Sequence, residues 1–455
     1  MMARLAFAAA AMDGDLRGAD ADFSGVSIDT RTLQPGNLFI ALEGPNFDGA
    51  DYLDKAAAAG AVGAVVNRHV DCDLPQIVVA DSRLALGQLG ATWRDRQDVL
   101  LVAITGSNGK TTLKEMTRAI LERVGPTLAT AGNLNNDIGM PLMLTRLDVT
   151  HRYAVIEMGA NHAGEIGYLV SLAKPQVVAL ANAGPAHLEG FGSIEGVARS
   201  KGEILTGLPR PRTAILNADD KFFGYWQELA SDIRVLSFGT GEAADIRARN
   251  IELFASGSRF DLHMPDRDPV SVSLSLSGEH NVRNACAAAA ICAALGVETR
   301  TIADGLADVL PVGGRLAEIA GSNGTTLIDD SYNANPTSVA AAAGILGAAE
   351  GRTIFVLGDM GELGADAEAM HREAGGAIRD AGVDCLLATG PLSRAAVEGF
   401  GEGGEWFDGV GELIERAADL LAPGTTVLVK GSRSAGMERV VMALTRMPAV
   451  AEGAC

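Results

Sequence analysis

A strongly apolar run, Val99–Ile104, passes directly into Thr105-Gly106-Ser107-Asn108-Gly109-Lys110-Thr111-Thr112, and a helical pattern continues through Arg123. A strand that turns through two glycines into a helix is the repeating unit of a parallel α/β sheet, whose neighbouring strands need crossover connections. Gly106 and Gly109 let backbone N–H groups approach phosphate oxygens, and the helix N-terminus adds partial positive charge. Lys110 is placed to reach the β- and γ-phosphates, and the Thr111 hydroxyl to ligate Mg²⁺. The strict P-loop spacing requires a glycine where Ile104 stands, so the pattern fails by count while its physical context remains. The plain alternative is a Gly-rich turn joining a strand to a helix.

The same alternation runs along the chain. Ala61–Val66 and Ile77–Val79 read as strands around a helix at Tyr52–Ala59, which Gly60 ends. Leu84–Arg96 reads as a helix, and Tyr153–Glu157, Val177–Ala181 and Thr213–Asn217 as further strands. Between Ile246 and Leu276 the period changes to two, with turn residues at Ser256-Gly257-Ser258 and Pro265-Asp266, which predicts an antiparallel meander appended to the parallel sheet. Asn281–Leu295 is an Ala-rich helix, and Pro311-Val312-Gly313-Gly314 a linker. Four more strands follow, Thr325–Asp329, Thr353–Leu357, Cys385–Ala388 and Thr425–Val429, as a second doubly wound unit. Tetra-Ala stretches at Ala8, Ala56, Ala287 and Ala340 keep no fixed period, so they read as helix packing. The 455 residues suit about three domains at ~150 residues each.

Charge narrows the function classes. Thirty-seven Lys and Arg against 57 Asp and Glu give a net charge of −20, which argues against coating nucleic acid or an anionic membrane. Cys72, Cys286, Cys292, Cys385 and Cys455 are scattered, without a CxxC, so neither a disulfide framework nor a zinc site is expected. No apolar run approaches ~18 residues, so no membrane insertion is expected. The N-terminal Met-Met-Ala-Arg-Leu-Ala-Phe-Ala-Ala-Ala-Ala-Met reads as the Ala-rich first helix of a cytoplasmic protein rather than a signal peptide.

Polar clusters stand just beyond the predicted strands, where open α/β sheets bind ligands. Glu157 closes one strand ahead of Met158-Gly159-Ala160-Asn161-His162, and an acid there suits a metal ligand. Ala186-His187-Leu188-Glu189-Gly190-Phe191-Gly192 follows the next; His187 is a candidate second ligand, although a loop histidine is more often simply solvated. Lys201, on the predicted helix Ile194–Leu205, would by itself be a surface lysine. In the second unit, Asp329–Pro336, Gly358–Gly364 and Lys430–Arg433 each follow a strand. Near the N-terminus, Ser27-Ile28-Asp29-Thr30-Arg31 and Gly44–Gly49 combine hydroxyls, an arginine and turn glycines suited to a phosphate or nucleotide moiety.

Taken together, Thr105–Thr112, Glu157, His187, Lys201, His280-Asn281 with Asn284, and Arg315 resemble the Mur ligase family of ATP-dependent peptide-bond-forming enzymes. The resemblance runs from about Ser27 to Arg433 and explains the unusual P-loop count, which is the family's own. Thr130–Gly139, Gly159–His162, Ala186–Gly192, Asp330–Pro336, Gly358–Gly364 and Lys430–Arg433 narrow it to the member that adds D-alanyl-D-alanine to UDP-N-acetylmuramoyl-tripeptide. The Asp-Asn-Pro-Arg motif of the sister ligase that adds the third residue is absent.

The resemblance implies three α/β domains: residues 1–84 for the UDP-sugar, 85–312 for ATP on a parallel sheet with an antiparallel appendage, and 313–455 as a Rossmann-like unit for the incoming dipeptide. It implies ATP phosphates on Gly106, Ser107, Asn108, Gly109, Lys110, Thr111 and Thr112, with Asn281 and Asn284 on adenine or ribose, and Arg315 and Asp330 reaching the nucleotide from the C-terminal domain. It implies two Mg²⁺ ions on Thr111, Glu157, His187 and a carbamylated Lys201. Lys110, Lys201, His187 and Arg315 would form the catalytic set. Ser27, Thr30 and Arg31 would meet the uridine diphosphate, Asn333, Asn335, Asp359 and Glu362 the dipeptide, and Asn133, Asn135 and Asn136 would also belong to the substrate site. The protein would act as a monomer and close around its substrates at Pro311–Gly314. Two rival readings stay open at this level: a P-loop NTPase switch, which leaves the C-terminal sheet edges without a purpose, and a sister ligase such as a folate polyglutamating enzyme.

Overall fold

The computed structural model describes residues 2–254 and 257–446. Its central sheet has nine strands in the spatial order Thr127–Ala129, Tyr153–Glu157, Leu100–Thr105, Val177–Leu180, Thr213–Asn217, Arg234–Gly239, Ile246–Phe254, Gly257–His263 and Val270–Leu274. The first seven run parallel, and the last two pairings are antiparallel. The expected meander is therefore present, although Gly257 and Ser258 lie in a strand rather than a turn, and Ser256 falls outside the described residues.

Strand Leu100–Thr105 sits where the winding reverses. The chain leaves it toward Thr127–Ala129 and Tyr153–Glu157 on one side, then crosses to Val177–Leu180 on the other. A crevice opens at such a point beyond the strands' C-terminal ends. All of Leu101–Thr105 is buried, as a strand covered on both faces requires. On one face the Ala-rich helix Glu279–Ala294 packs flat, with Ala285–Cys292 fully buried, because alanine side chains allow close approach to the sheet. On the other, Trp226 is wholly buried, and its indole N–H donates to the Ala198 carbonyl at 3.1 Å.

The C-terminal sheet orders Ala317–Ala320, Thr326–Asp330, Thr426–Lys430, Thr353–Gly358, Cys385–Thr389 and Gly404–Phe407, with only the first pairing antiparallel. The last strand in sequence is inserted beside Thr326–Asp330, which sets Lys430 level with Asp330. The N-terminal sheet orders Asp15–Arg17, Gln76–Val78, Gly63–Val66, Asn37–Ile40 and Gly25–Ser27. The first helix spans Leu5–Ala11. Among the described residues no helix is long and apolar enough to cross a membrane.

Candidate active site

Strand Leu100–Thr105 delivers the chain to its sharpest turn. Gly109 holds φ at 79°, and a Cβ there would lie 2.9 Å from Asn284 Oδ1, so both conformation and space demand glycine. The loop is gripped from the next strand: Asn108 N–H donates to Asn182 Oδ1 at 2.9 Å, and Asn182 Nδ2 returns a bond to the Asn108 carbonyl at 3.0 Å. Helix Lys110–Glu122 then starts on Gly109 with no side-chain cap, leaving its first N–H groups for an anion. Lys110 Nζ donates to the Gly106 carbonyl at 2.7 Å. Burial pulls this ammonium down to about 8, with Glu157 opposing and Arg315 adding to the shift.

Glu157 ends its strand level with Ile104, fully buried. Its Oε2 accepts from Thr111 Oγ1 and Asn135 Nδ2, both at 3.4 Å, while Oε1 has no hydrogen-bond partner among the described residues. A buried carboxylate oxygen without a hydrogen bond, beside a threonine hydroxyl, suits a divalent cation. Lys201 lies buried on helix Ile194–Thr206, its amine 5.9 Å from the Phe191 ring centre. Burial, then the Lys110 charge, holds it well below the ordinary lysine range. A neutral amine is the form that carbamylation needs. His187 stands at φ 55° with Nδ1 against the Glu362 carboxylate, and that hydrogen bond holds Glu362 below the usual carboxylate range. Among the described residues no three His, Cys, Asp or Glu side chains form a metal cage. Magnesium tolerates this, since it is commonly held by one or two carboxylates together with phosphate and water.

The C-terminal unit forms the opposite wall. Arg315 Nη2 donates to Thr111 Oγ1 at 3.3 Å, and its guanidinium stacks 4.4 Å above the Tyr332 ring. Asn335 Nδ2 donates to Asn108 Oδ1 at 2.7 Å. Lys430 donates to Asp330 and to the Asn333 carbonyl; burial lowers the lysine and raises the acid. Asn281 Nδ2 donates to the Ser277 carbonyl at 2.8 Å, and burial drives the neighbouring His280 down to about 4.

These groups line one cleft of about 1070 Å³. It takes in Ser107–Thr112, Glu157, His187, Asn281, Asn284, Arg315 and Asp330, together with Asn133, Asn135, Asn136, Asn333, Asn335 and Glu362. Gly106 and Lys201 lie behind its surface. Ser27, Thr30 and Arg31 sit apart on the N-terminal unit, where Arg31 forks onto Asp29 and the Ser27 hydroxyl donates to the Asp29 carbonyl. Asp359 also stands outside the lining; its carboxylate accepts from the Ser393 N–H and hydroxyl, both at 2.7 Å.

Sequence reasoning passed over Asn182 and Lys114, and gave Thr130 and Tyr332 no role of their own within the segments it singled out. Asn182 stands two residues beyond strand Val177–Leu180, so the strand-end rule that singled out Glu157 also finds it. Lys114 follows Lys110 by one helical turn; it is buried, donates to the Thr130 carbonyl at 2.9 Å and lies 3.9 Å from Glu157. Thr130 in turn accepts the Glu157 N–H.

Three family models match: the Mur ligase middle domain over residues 104–292, the Mur ligase glutamate ligase domain over 314–433, and the Mur ligase family catalytic domain over 22–94. The chain is 47% identical to the UDP-N-acetylmuramoyl-tripeptide–D-alanyl-D-alanine ligase of Escherichia coli K12, over 95% of this chain and 96% of that protein. A crystal structure of MurF from Acinetobacter baumannii superposes with a TM-score of 0.90 at 39% identity, covering 97% of this chain and 98% of the other. MurF ligase from Thermotoga maritima in complex with ADP gives 0.81 at 26% identity, over 93% and 97%.

Proposed function

The chain belongs to the Mur ligase family, and on that premise we propose that it joins D-alanyl-D-alanine to UDP-N-acetylmuramoyl-tripeptide at the expense of ATP, giving the pentapeptide precursor of peptidoglycan. The observation that carries this reading is 47% identity to the E. coli ligase along nearly the whole of both chains. The cleft agrees with it, because residues of two sheets converge on one phosphate-binding loop.

An amide forms from a carboxylate and an amine only if the carboxylate oxygen becomes a good leaving group. The tripeptide carboxylate attacks the γ-phosphorus, the bond to ADP breaks, and an acyl phosphate results. The amine of D-alanyl-D-alanine, freed of its proton, then attacks the carbonyl and phosphate departs. The first step brings two anions together, so the residues must position and neutralise. The loop N–H groups, Lys110 and Arg315 serve this at the phosphates, with Ser107, Asn108 and Thr112 lining the same turn. Asn281 and Asn284 take the adenosine, and Asp330 assists from the C-terminal side.

Thr111, Glu157, His187 and a carbamylated Lys201 would hold two Mg²⁺ ions, which supply further charge neutralisation at the phosphate oxygens. Carbamylation would turn the buried Lys201 amine into an anion able to ligate metal. We assign residues 1–84, with Ser27, Thr30 and Arg31, to the UDP end of the substrate, and 85–312, with Asn133, Asn135 and Asn136, to ATP and the peptide stem. Residues 313–455, with Asn333, Asp359 and Glu362, go to the dipeptide. The protein would work as a cytoplasmic monomer.

The direct test is the product. Incubation with ATP, Mg²⁺, the UDP-linked tripeptide and D-alanyl-D-alanine should yield a nucleotide-linked species heavier by one dipeptide less water. An unchanged nucleotide-linked substrate would refute the reading.

A further inference from the structure

Asn335 is 6% exposed, and its carboxamide is engaged at both ends. Its Oδ1 accepts the Ser338 N–H at 2.9 Å, while Ser338 Oγ accepts the Asn335 N–H at 3.0 Å, closing a capping box on helix Pro336–Gly347. The cap fixes which end of the amide is oxygen. Nδ2 is therefore a donor, and it donates across the domain boundary to Asn108 Oδ1 at 2.7 Å.

Asn108 is already held through its backbone by Asn182, and the Ser107 N–H donates to the Asn182 carbonyl at 3.0 Å. The loop backbone is thus fixed by the central sheet, whereas its Asn108 side chain is fixed from the C-terminal unit. An asparagine whose oxygen is held toward Asn335 turns its N–H donors to the other side, where a ligand meets them. With Asn335 withdrawn, the Asn108 amide is free to turn its oxygen toward the loop's ligand, and an oxygen repels phosphate.

We propose that Asn335 is a positioning residue for the phosphate loop: it sets the Asn108 amide as a donor to the nucleotide phosphates and so makes a full phosphate grip depend on the docked C-terminal domain. The proposal rests on the nucleotide reading of this loop. It assigns Asn335 work through Asn108 rather than through the dipeptide.

Asn335→Asp separates the two duties of the residue. Aspartate caps a helix as well as asparagine does, so the far-UV circular dichroism spectrum should match wild type, while the carboxylate left unpaired at this buried site lowers the melting temperature by a few degrees. The donor is lost, and a carboxylate oxygen faces Asn108 Oδ1. Binding of a non-hydrolysable ATP analogue, measured by calorimetry on the full chain, should weaken about tenfold, the scale of one polar hydrogen bond. Asn108→Ala should weaken it similarly, and the double variant no further, because both act through one contact. The KM for D-alanyl-D-alanine should hold within twofold. Asn335→Ala, which lacks the cap, should lower the melting temperature by about 2–4 °C and serves as the structural control.

Analogue affinity within twofold of wild type in Asn335→Asp, effects that multiply to about a hundredfold in the double variant, or a rise in the dipeptide KM alone would each overturn the proposal. A wild-type chain that fails to bind the analogue overturns the nucleotide reading and this role with it.

Discussion

His187 and Glu362 meet across the boundary between the central and C-terminal units, and both hold left-handed backbone conformations, at φ 55° and 60°. The Glu189 N–H also donates to the Glu362 carbonyl at 3.3 Å. Two non-glycine residues in this region, each costing about 1–2 kcal/mol, persist only where the surroundings hold them there. Their contact joins the two walls of the cleft, as those of Arg315 with Thr111 and of Asn335 with Asn108 also do. Glu362→Gln keeps the side-chain volume and removes the anion opposite His187. We expect turnover to fall about tenfold with the melting temperature nearly unchanged, measured by steady-state kinetics and calorimetry. A wild-type rate in Glu362→Gln would sink this role.

Lys110→Met should cut turnover about a hundredfold or more, the scale for removing one preorganised charge from a developing phosphate anion. The folded state should survive, because the native ammonium is itself held under a burial penalty. Steady-state rates with matched circular dichroism spectra check both halves.

Gly109→Ala should damage the loop selectively. The new Cβ would sit 2.9 Å from Asn284 Oδ1 on a backbone with φ of 79°. ATP-analogue affinity should fall at least about tenfold, whereas the fold loses only the left-handed penalty of about 1–2 kcal/mol. Equal affinity in the variant would show that the loop relaxes without cost.

These predictions stand on features of unequal visibility in the sequence. The strands flanking the cleft were legible to within a residue or two, since Tyr153–Glu157 and Thr213–Asn217 are buried on both faces and carry unbroken apolar runs. The edge strands Thr127–Ala129, Ala317–Ala320 and Gly404–Phe407 were not, because three or four half-exposed residues form a strand only against a partner. The phosphate loop was legible because its spacing is local. Asn182 gripping Asn108, Tyr332 under Arg315, and Lys114 behind Glu157 depend on sheet order, domain docking and burial, none of which a linear pattern encodes. Lys201 illustrates the limit well: composition alone reads it as a surface lysine, and only the packing of helix Ile194–Thr206 buries it.

The proposed carbamylation of Lys201 would make activity depend on dissolved CO₂. Enzyme and buffers depleted of CO₂ should lose turnover and regain it on adding bicarbonate. Lys201→Ala should be slow in both conditions and indifferent to bicarbonate. A wild-type rate that ignores bicarbonate would remove the carbamate from the account.

Stability should fall as pH drops below about 6.5. His371 accepts the Met360 N–H at Nε2 and bonds the Ala367 carbonyl through Nδ1, so the fold holds it neutral, and burial lowers its pKa. His280 is driven down to about 4 in the same way. For both, the unfolded chain takes up a proton at about 6.5 while the native chain refuses it. Stability is therefore full above that pH and is lost progressively toward pH 4. Melting curves from pH 7 to 4 should show this fall, and His371→Gln should show a shallower one.

The most direct test of the central claim is phosphate release from ATP, with the UDP-linked tripeptide and D-alanyl-D-alanine supplied singly and together. The account predicts fast release only when both are present, with one dipeptide joined for each phosphate freed. Release that proceeds equally without the dipeptide, or without the tripeptide, would contradict it and favour a nucleotide switch.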